Sequence, residues 1–244
     1  MLVPSQAQLL DLWDAGSRSS PWCRAALLLQ CAWPDAAVAQ WPLGLVNARL
    51  LQLRAALFGS DWNCLADCPA CAKVAEVRLD ISAMLVGAQR DEPLQEPAWH
   101  VVDEPSVATR FRLPVLGDLA SSGAGNAQSA ARLLDAIVAA PGSNACDTVP
   151  AEVLPRTRAE IERQLLRLDP LAAIDIVMDC PACGHRWRSA AEVIGMLWAE
   201  VSVLARRMLA DVARLASLFG WSEPQILALS STRRQHYLDM VREW

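Results

Sequence analysis

Lysine is almost missing from this chain. Lys73 is the only one, and every other cationic side chain is an arginine. Histidine is nearly as scarce, limited to His100, His185 and His236. The net charge of −5 lacks the basic field that a general nucleic-acid binder needs. Three histidines, and no G-x-S-x-G, H-E-x-x-H or P-loop run, leave little from which to build an active site, so no enzyme is expected. No apolar run approaches the ~20 residues of a membrane span. Met1-Leu2-Val3-Pro4-Ser5 carries no basic segment, so no signal peptide is read and a cytoplasmic setting is expected. Gly123-Ala124-Gly125 has Gln128 where a dinucleotide loop needs a third small residue, and no strand immediately before it. It is read as a loop.

What the chain has in quantity is apolar surface and sulfur. Hydrophobic residues make up 53% and charged residues 20%, the balance of a folded chain with a sizeable core in one or two domains. Ten tryptophans and eight cysteines stand out. Most of the tryptophans should be core. The cysteines, without an export signal, point to a reducing compartment.

Four of the eight fall in two near copies of one tetrapeptide, Cys68-Pro69-Ala70-Cys71 and Cys180-Pro181-Ala182-Cys183. Two residues between cysteines let both sulfurs of a tight loop face one point. Two such loops make a tetrahedral four-sulfur site, which suits a structural Zn²⁺, with iron left open. Zinc ribbons usually separate their pairs by ~15–20 residues. Here more than a hundred intervene, so the intervening chain should be a folded insertion whose ends return together. Two disulfides, free buried pairs or a redox pair are the alternatives. Gly184 follows the second pair, where a knuckle turn favours positive φ; Ala72 stands there in the first. Cys23, Cys31, Cys64 and Cys146 have no partner spacing and are read as small buried hydrophobes.

The spacing of apolar residues predicts an α+β chain that is mainly helical. A zinc-ribbon-like four-cysteine knuckle pair carries a large α/β insertion. A long C-terminal helix with short helices after it ends the chain. The expected divisions are a helical segment at 1–62, a split ribbon at 63–89 and 179–190, the insertion at 90–178 and the helical tail at 191–244. Strands are predicted after each knuckle, at 74–81 and 185–189, and the two halves are expected to pair. Further strands are read near 99–102, 109–113 and 174–178, with helices at 126–140 and 156–168. Val193, Leu197, Val201, Leu204, Met208, Val212, Leu215 and Phe219 form one amphipathic stripe over about 190–219. Ser222 to Gln225 reads as a capping box, with Trp221 and Ile226 as its staple.

In order, a Leu-rich helical start leads to a CPxC knuckle and a Glu76-Val77-x-Leu79-Asp80 strand. Phe111-Arg112-Leu113-Pro114 comes next, with Gly117-Asp118-Leu119 close behind. Then come Cys180 to Trp187, Leu197-Trp198-Ala199-Glu200, and a tail of Gly220-Trp221-Ser222-Glu223, Ile226 to Leu229, Arg233-Arg234 and Tyr237-Leu238. This pattern resembles baseplate proteins of contractile phage tails and related injection systems, akin to the T4-like baseplate hub assembly chaperone family. The resemblance implies a non-enzymatic role in building a hub or baseplate from the cytoplasm of the producing cell. It leaves open whether the protein stays in the particle. It implies baseplate or hub proteins as partners, with no specific nucleic acid, membrane or small-molecule substrate. Trp221, Ile226, Arg233, Arg234 and Tyr237 are the residues expected to dock a partner, because tryptophan, tyrosine and arginine carry interface energy. Trp244 is a further aromatic of that tail. The second function considered is a zinc-ribbon transcription regulator, its tail a helix-turn-helix around Gly220-Trp221.

Overall fold

A computed structural model describes residues 1–86, 98–103, 108–122, 127–139 and 155–242. Gly123 to Gly125, Cys146 and Trp244 lie outside the described residues.

The chain begins with α1 (Gln6–Gly16), α2 (Pro21–Ala32) and α3 (Leu43–Phe58). Ser5 and Ser20 start the first two helices, their hydroxyls accepting from the Gln8 and Cys23 amides. Such caps satisfy amides that a helix start leaves without partners. Next come β1 (Asp61–Asp67), β2 (Val74–Asp80) and α4 (Ile81–Val86). β3 (Trp99–Asp103), β4 (Ala108–Arg112), α5 (Leu116–Ser122), α6 (Ala127–Ile137), β5 (Val138–Ala139) and α7 (Pro155–Leu168) form the middle. β6 (Asp175–Asp179) and β7 (Arg186–Ala190) precede α8 (Val193–Phe219), α9 (Glu223–Leu227) and α10 (Ser231–Arg242).

The result is mainly helical with small antiparallel sheets. β1 pairs with β2, β6 pairs with β7, and β3-β4-β5 form a third sheet. The sequence led us to expect the strands around the two knuckles to pair with each other, and they do not. Each knuckle closes its own hairpin. The helical start also ends sooner than 62, because Asp61 already pairs with Asp80.

One core holds both hairpins against the helices. Leu28, Leu29, Leu50, Leu51 and Leu53 of α2 and α3 meet Trp62, Cys64 and Ala75 of the first hairpin, Ile176 and Met178 of the second, and Leu197 and Val201 of α8. Arg54 ties these parts together. It is buried, forks onto Glu200 of α8 at 2.8 and 3.0 Å, and donates to the carbonyls of Gly59 and Asp61. The guanidinium thus fixes the turn from α3 into β1 while pairing with a helix 146 residues away. A separate small core, Val102, Phe111, Ile137, Val138 and Ile161, joins β3, β4 and β5 to α6 and α7.

Two links moor this middle region to the helices. Arg112 pairs with Asp118 at 2.7 and 2.8 Å, and the same carboxylate accepts from the Val115 amide. That clamp turns the chain so that Pro114 accepts from the Leu43 amide and the Leu116 amide donates to Trp41. After α7, the Asp169 carboxylate accepts from the Gly44 amide at 2.8 Å, in the first turn of α3. Pro42 caps that helix with no side-chain bond of its own, so a distant acid takes the place of the missing cap. Among the described residues no helix is long and apolar enough to cross a membrane.

Candidate metal centre

Both CPAC segments sit at hairpin tips, and their backbones match. In the first, the Cys68 amide donates to the Lys73 carbonyl at 2.9 Å and the Ala72 amide to the Cys68 carbonyl at 2.8 Å. In the second, the Cys180 amide donates to His185 at 2.9 Å and the Gly184 amide to Cys180 at 2.9 Å. Ala72 and Gly184 hold equivalent places, with φ of 57° and 72°. The two tips are one turn built twice. Glycine reaches that left-handed region without strain, and alanine does not.

The hairpins bring the four sulfurs of Cys68, Cys71, Cys180 and Cys183 within 4.8 Å of one another. Cys68 and Cys183 are 3.7 Å apart, and Cys71 and Cys180 are 3.6 Å apart. A disulfide sits at about 2.05 Å, so these are four free thiols. Zinc–sulfur bonds of about 2.3 Å in a tetrahedron place the sulfurs about 3.8 Å apart. The two cross-hairpin separations are close to that figure. Cys68 and Cys180 are buried at 2% and 3% exposure, while Cys71 and Cys183 face outward.

Their protonation follows from this crowding. Burial raises the Cys180 thiol, but the amides of Cys183 and Ala182 and the neighbouring sulfurs outweigh it and bring it down to about 7. At Cys71 the Lys73 amide pulls downward. The Cys183 sulfur, burial and the Cys180 and Cys68 sulfurs overcome that pull and push it up to about 12. Cys180 ionises more readily, while Cys71 and Cys183 resist and are held toward the thiol form. A divalent cation removes that resistance by neutralising the thiolates together. All-thiolate donor sets suit zinc and iron and are poor for magnesium or calcium.

Other candidates fall outside the cluster. Cys64 lies in β1 facing the main core, where burial pushes its thiol up. His185 is exposed, its ring stacked on Trp187 at 6.0 Å. His100 lies against Phe111 in the middle sheet, and His236 is exposed on α10. An open polar depression lined by Arg54, Asp61, Asn63, Glu76, Arg78 and Glu200 lies beside the first hairpin. Its arginines are already paired, Arg54 to Glu200 and Arg78 to Asp61.

The five residues expected to dock a partner separate into two groups. Ile226 is fully buried among Val212, Leu215 and Leu238, and Trp221 packs against the same cluster. Arg234 is 5% exposed, hydrogen-bonded to Gln6 and paired with Asp211 at 3.3 Å. Both residues spend their side chains inside the chain, because the tail folds back onto α8 and α1. Trp221 and Tyr237 are half-buried in a ring cluster with Phe219, at 4.7, 4.8 and 5.8 Å. Arg233 is exposed.

No protein family matches the chain, no curated protein matches it, and no solved structure matches it.

Two features of the site escaped the sequence. One is that Ala72 keeps the left-handed turn despite its Cβ, at the place where the sequence marked glycine as the better residue. The other is the support from Arg54 and Glu200, whose long separation leaves no local signal.

Proposed function

We propose that this chain is a non-enzymatic assembly or structural protein whose two hairpins are bound together by one structural zinc. The four-sulfur arrangement carries the proposal: two matching turns, distant in sequence, bring four cysteine sulfurs within 4.8 Å of one another. A site closed by four protein ligands keeps no position for substrate, so its contribution is to the fold. On this reading the hairpins are the halves of a split ribbon, and 90–178 is an insertion with its own small core. Its returning strand, β6, leads straight into Cys180.

The role we assign is in the baseplate or hub of a contractile phage tail or injection system. Its support is the order of sequence segments given above. The structure gives those segments physical jobs. Arg112 and Asp118 clamp the middle region, Glu200 holds Arg54, and Trp198 covers Gly16 so closely that a Cβ there would fall 2.2 Å from its ring. Genes for tube, sheath and spike proteins beside this one are the expected neighbourhood, and a neighbourhood without tail genes would remove this assignment.

The metal is tested by elemental analysis of native protein purified under reducing conditions. The expected content is near one zinc per chain. Absence of both zinc and iron overturns the metal centre. Structural zinc contributes folding energy directly. Cys183→Ser should therefore lower the unfolding midpoint and leave the protein largely without metal.

A further inference from the structure

We propose that the four-cysteine site is also a redox modification site. Hydrogen peroxide converts it into two disulfides that cross between the hairpins, Cys68–Cys183 and Cys71–Cys180. This extends the metal reading but rests on the sulfurs alone. Each hairpin offers one outward sulfur, Cys71 or Cys183, and one buried sulfur, Cys68 or Cys180. Every outward sulfur has a buried sulfur of the other hairpin at 3.6 or 3.7 Å. Closing that gap to about 2.05 Å asks each sulfur to move less than about 1 Å.

The chemistry proceeds from the exposed positions. The Cys183 thiolate attacks one peroxide oxygen; the O–O bond breaks, hydroxide leaves, and a sulfenic acid forms. The Cys68 thiolate then attacks the Cys183 sulfur, the S–S bond forms, and a second hydroxide departs. Sulfur is oxidised and peroxide is reduced. The same pair of steps at Cys71 and Cys180 uses a second peroxide. The metal loses all four ligands and is released.

The connectivity has a structural consequence. Disulfides within each knuckle would leave the two hairpin tips without a link once the metal leaves, and only the shared core would hold the hairpins together. Crossed disulfides replace the metal with covalent links between the same two tips. A protein assembled in a reducing cytoplasm and then carried outside would thereby keep its hairpins joined.

The test is peroxide titration of the native, metal-loaded chain, with released zinc followed by a chromogenic chelator. Trypsin then separates the knuckles, since Lys73 and Arg186 each follow one of them. The expected result is zinc release with loss of four titratable thiols, recovered by a dithiol reductant. A cross-link should join the peptide carrying Cys68 and Cys71 to the one carrying Cys180 and Cys183. Repeating the experiment with Cys64→Ser, a buried residue outside the cluster, keeps that sulfur from mimicking the cross-link. Zinc release with disulfides confined within each peptide overturns the proposal. So does sulfinic acid without disulfide, or complete resistance to peroxide. Metal content is measured before oxidation. A chain purified without metal sinks the zinc reading, while the cross-link still decides the disulfide.

Discussion

Ala72 occupies a backbone position that its equivalent, Gly184, suits better. A non-glycine residue in the left-handed region costs about 1–2 kcal/mol. Nothing lies within 4 Å of a Cβ built at Gly184, so a methyl there adds no clash and isolates the backbone term. Ala72→Gly should therefore stabilise the protein by about 0.5–1 kcal/mol, and Gly184→Ala should destabilise it by about 1 kcal/mol. Urea unfolding of the metal-loaded forms measures both. Equal midpoints for wild type and Gly184→Ala would show that the knuckle turn tolerates alanine freely and that no strain resides at Ala72. The cysteines were legible at this scale because chemistry demands their type and spacing. The turn was legible at Gly184, and at Ala72 only by matching the two knuckles, because alanine itself carries no sign of the conformation it is held in.

At the scale of elements, helices of the main body were legible where apolar residues repeat over several turns. α7 and α8 lie close to their predicted bounds for this reason, as do the strands after the knuckles. β1 was missed. Its inward residues, Trp62 and Cys64, alternate correctly, but Asp61, Asn63 and Asp67 look like turn residues, and Leu65 is apolar on the exposed face. Contacts between distant elements had no local signature at all. The link from α7 to α3 is the clearest case. A Cβ on Gly44 would fall 1.8 Å from the Asp169 carboxylate, so glycine is required for the acid to reach the amide. Gly44→Ala should cost about 2 kcal/mol or more, from overpacking together with the lost cap. Asp169→Ala should cost about 1–2 kcal/mol. Because the clash disappears when the acid is gone, the double variant should lose less than the two costs added. Strict additivity in thermal unfolding would mean that the two sites do not meet as the structure places them.

For the whole molecule, the tail is both core and surface, and the two roles need different tests. Removing 221–244 takes Ile226 and Leu238 from Val212 and Leu215, and it strips Arg234 from Asp211 and Gln6. That truncation should destabilise or aggregate the protein whatever the tail binds, so by itself it says nothing about docking. The docking face in our proposal is what remains exposed: Arg233, the half-buried rings of Trp221 and Tyr237, and Leu218 and Phe219 at the end of α8. Arg233 takes part in no ion pair among the described residues, so reversing its charge breaks none of the ion pairs described above. Arg233→Glu should leave the unfolding midpoint within about 0.5 kcal/mol of wild type and leave the metal content unchanged. If this face meets a baseplate or hub protein, that variant should no longer co-purify with the neighbouring tail proteins, and particle assembly should fail. Arg234→Ala should show the converse pattern at first, a loss of stability, because it leaves Asp211 and Gln6 without their cation. Normal particles from a folded, metal-loaded Arg233→Glu protein would remove this arginine from the docking surface. The same result from Leu218→Glu as well would remove the tail from the interface altogether.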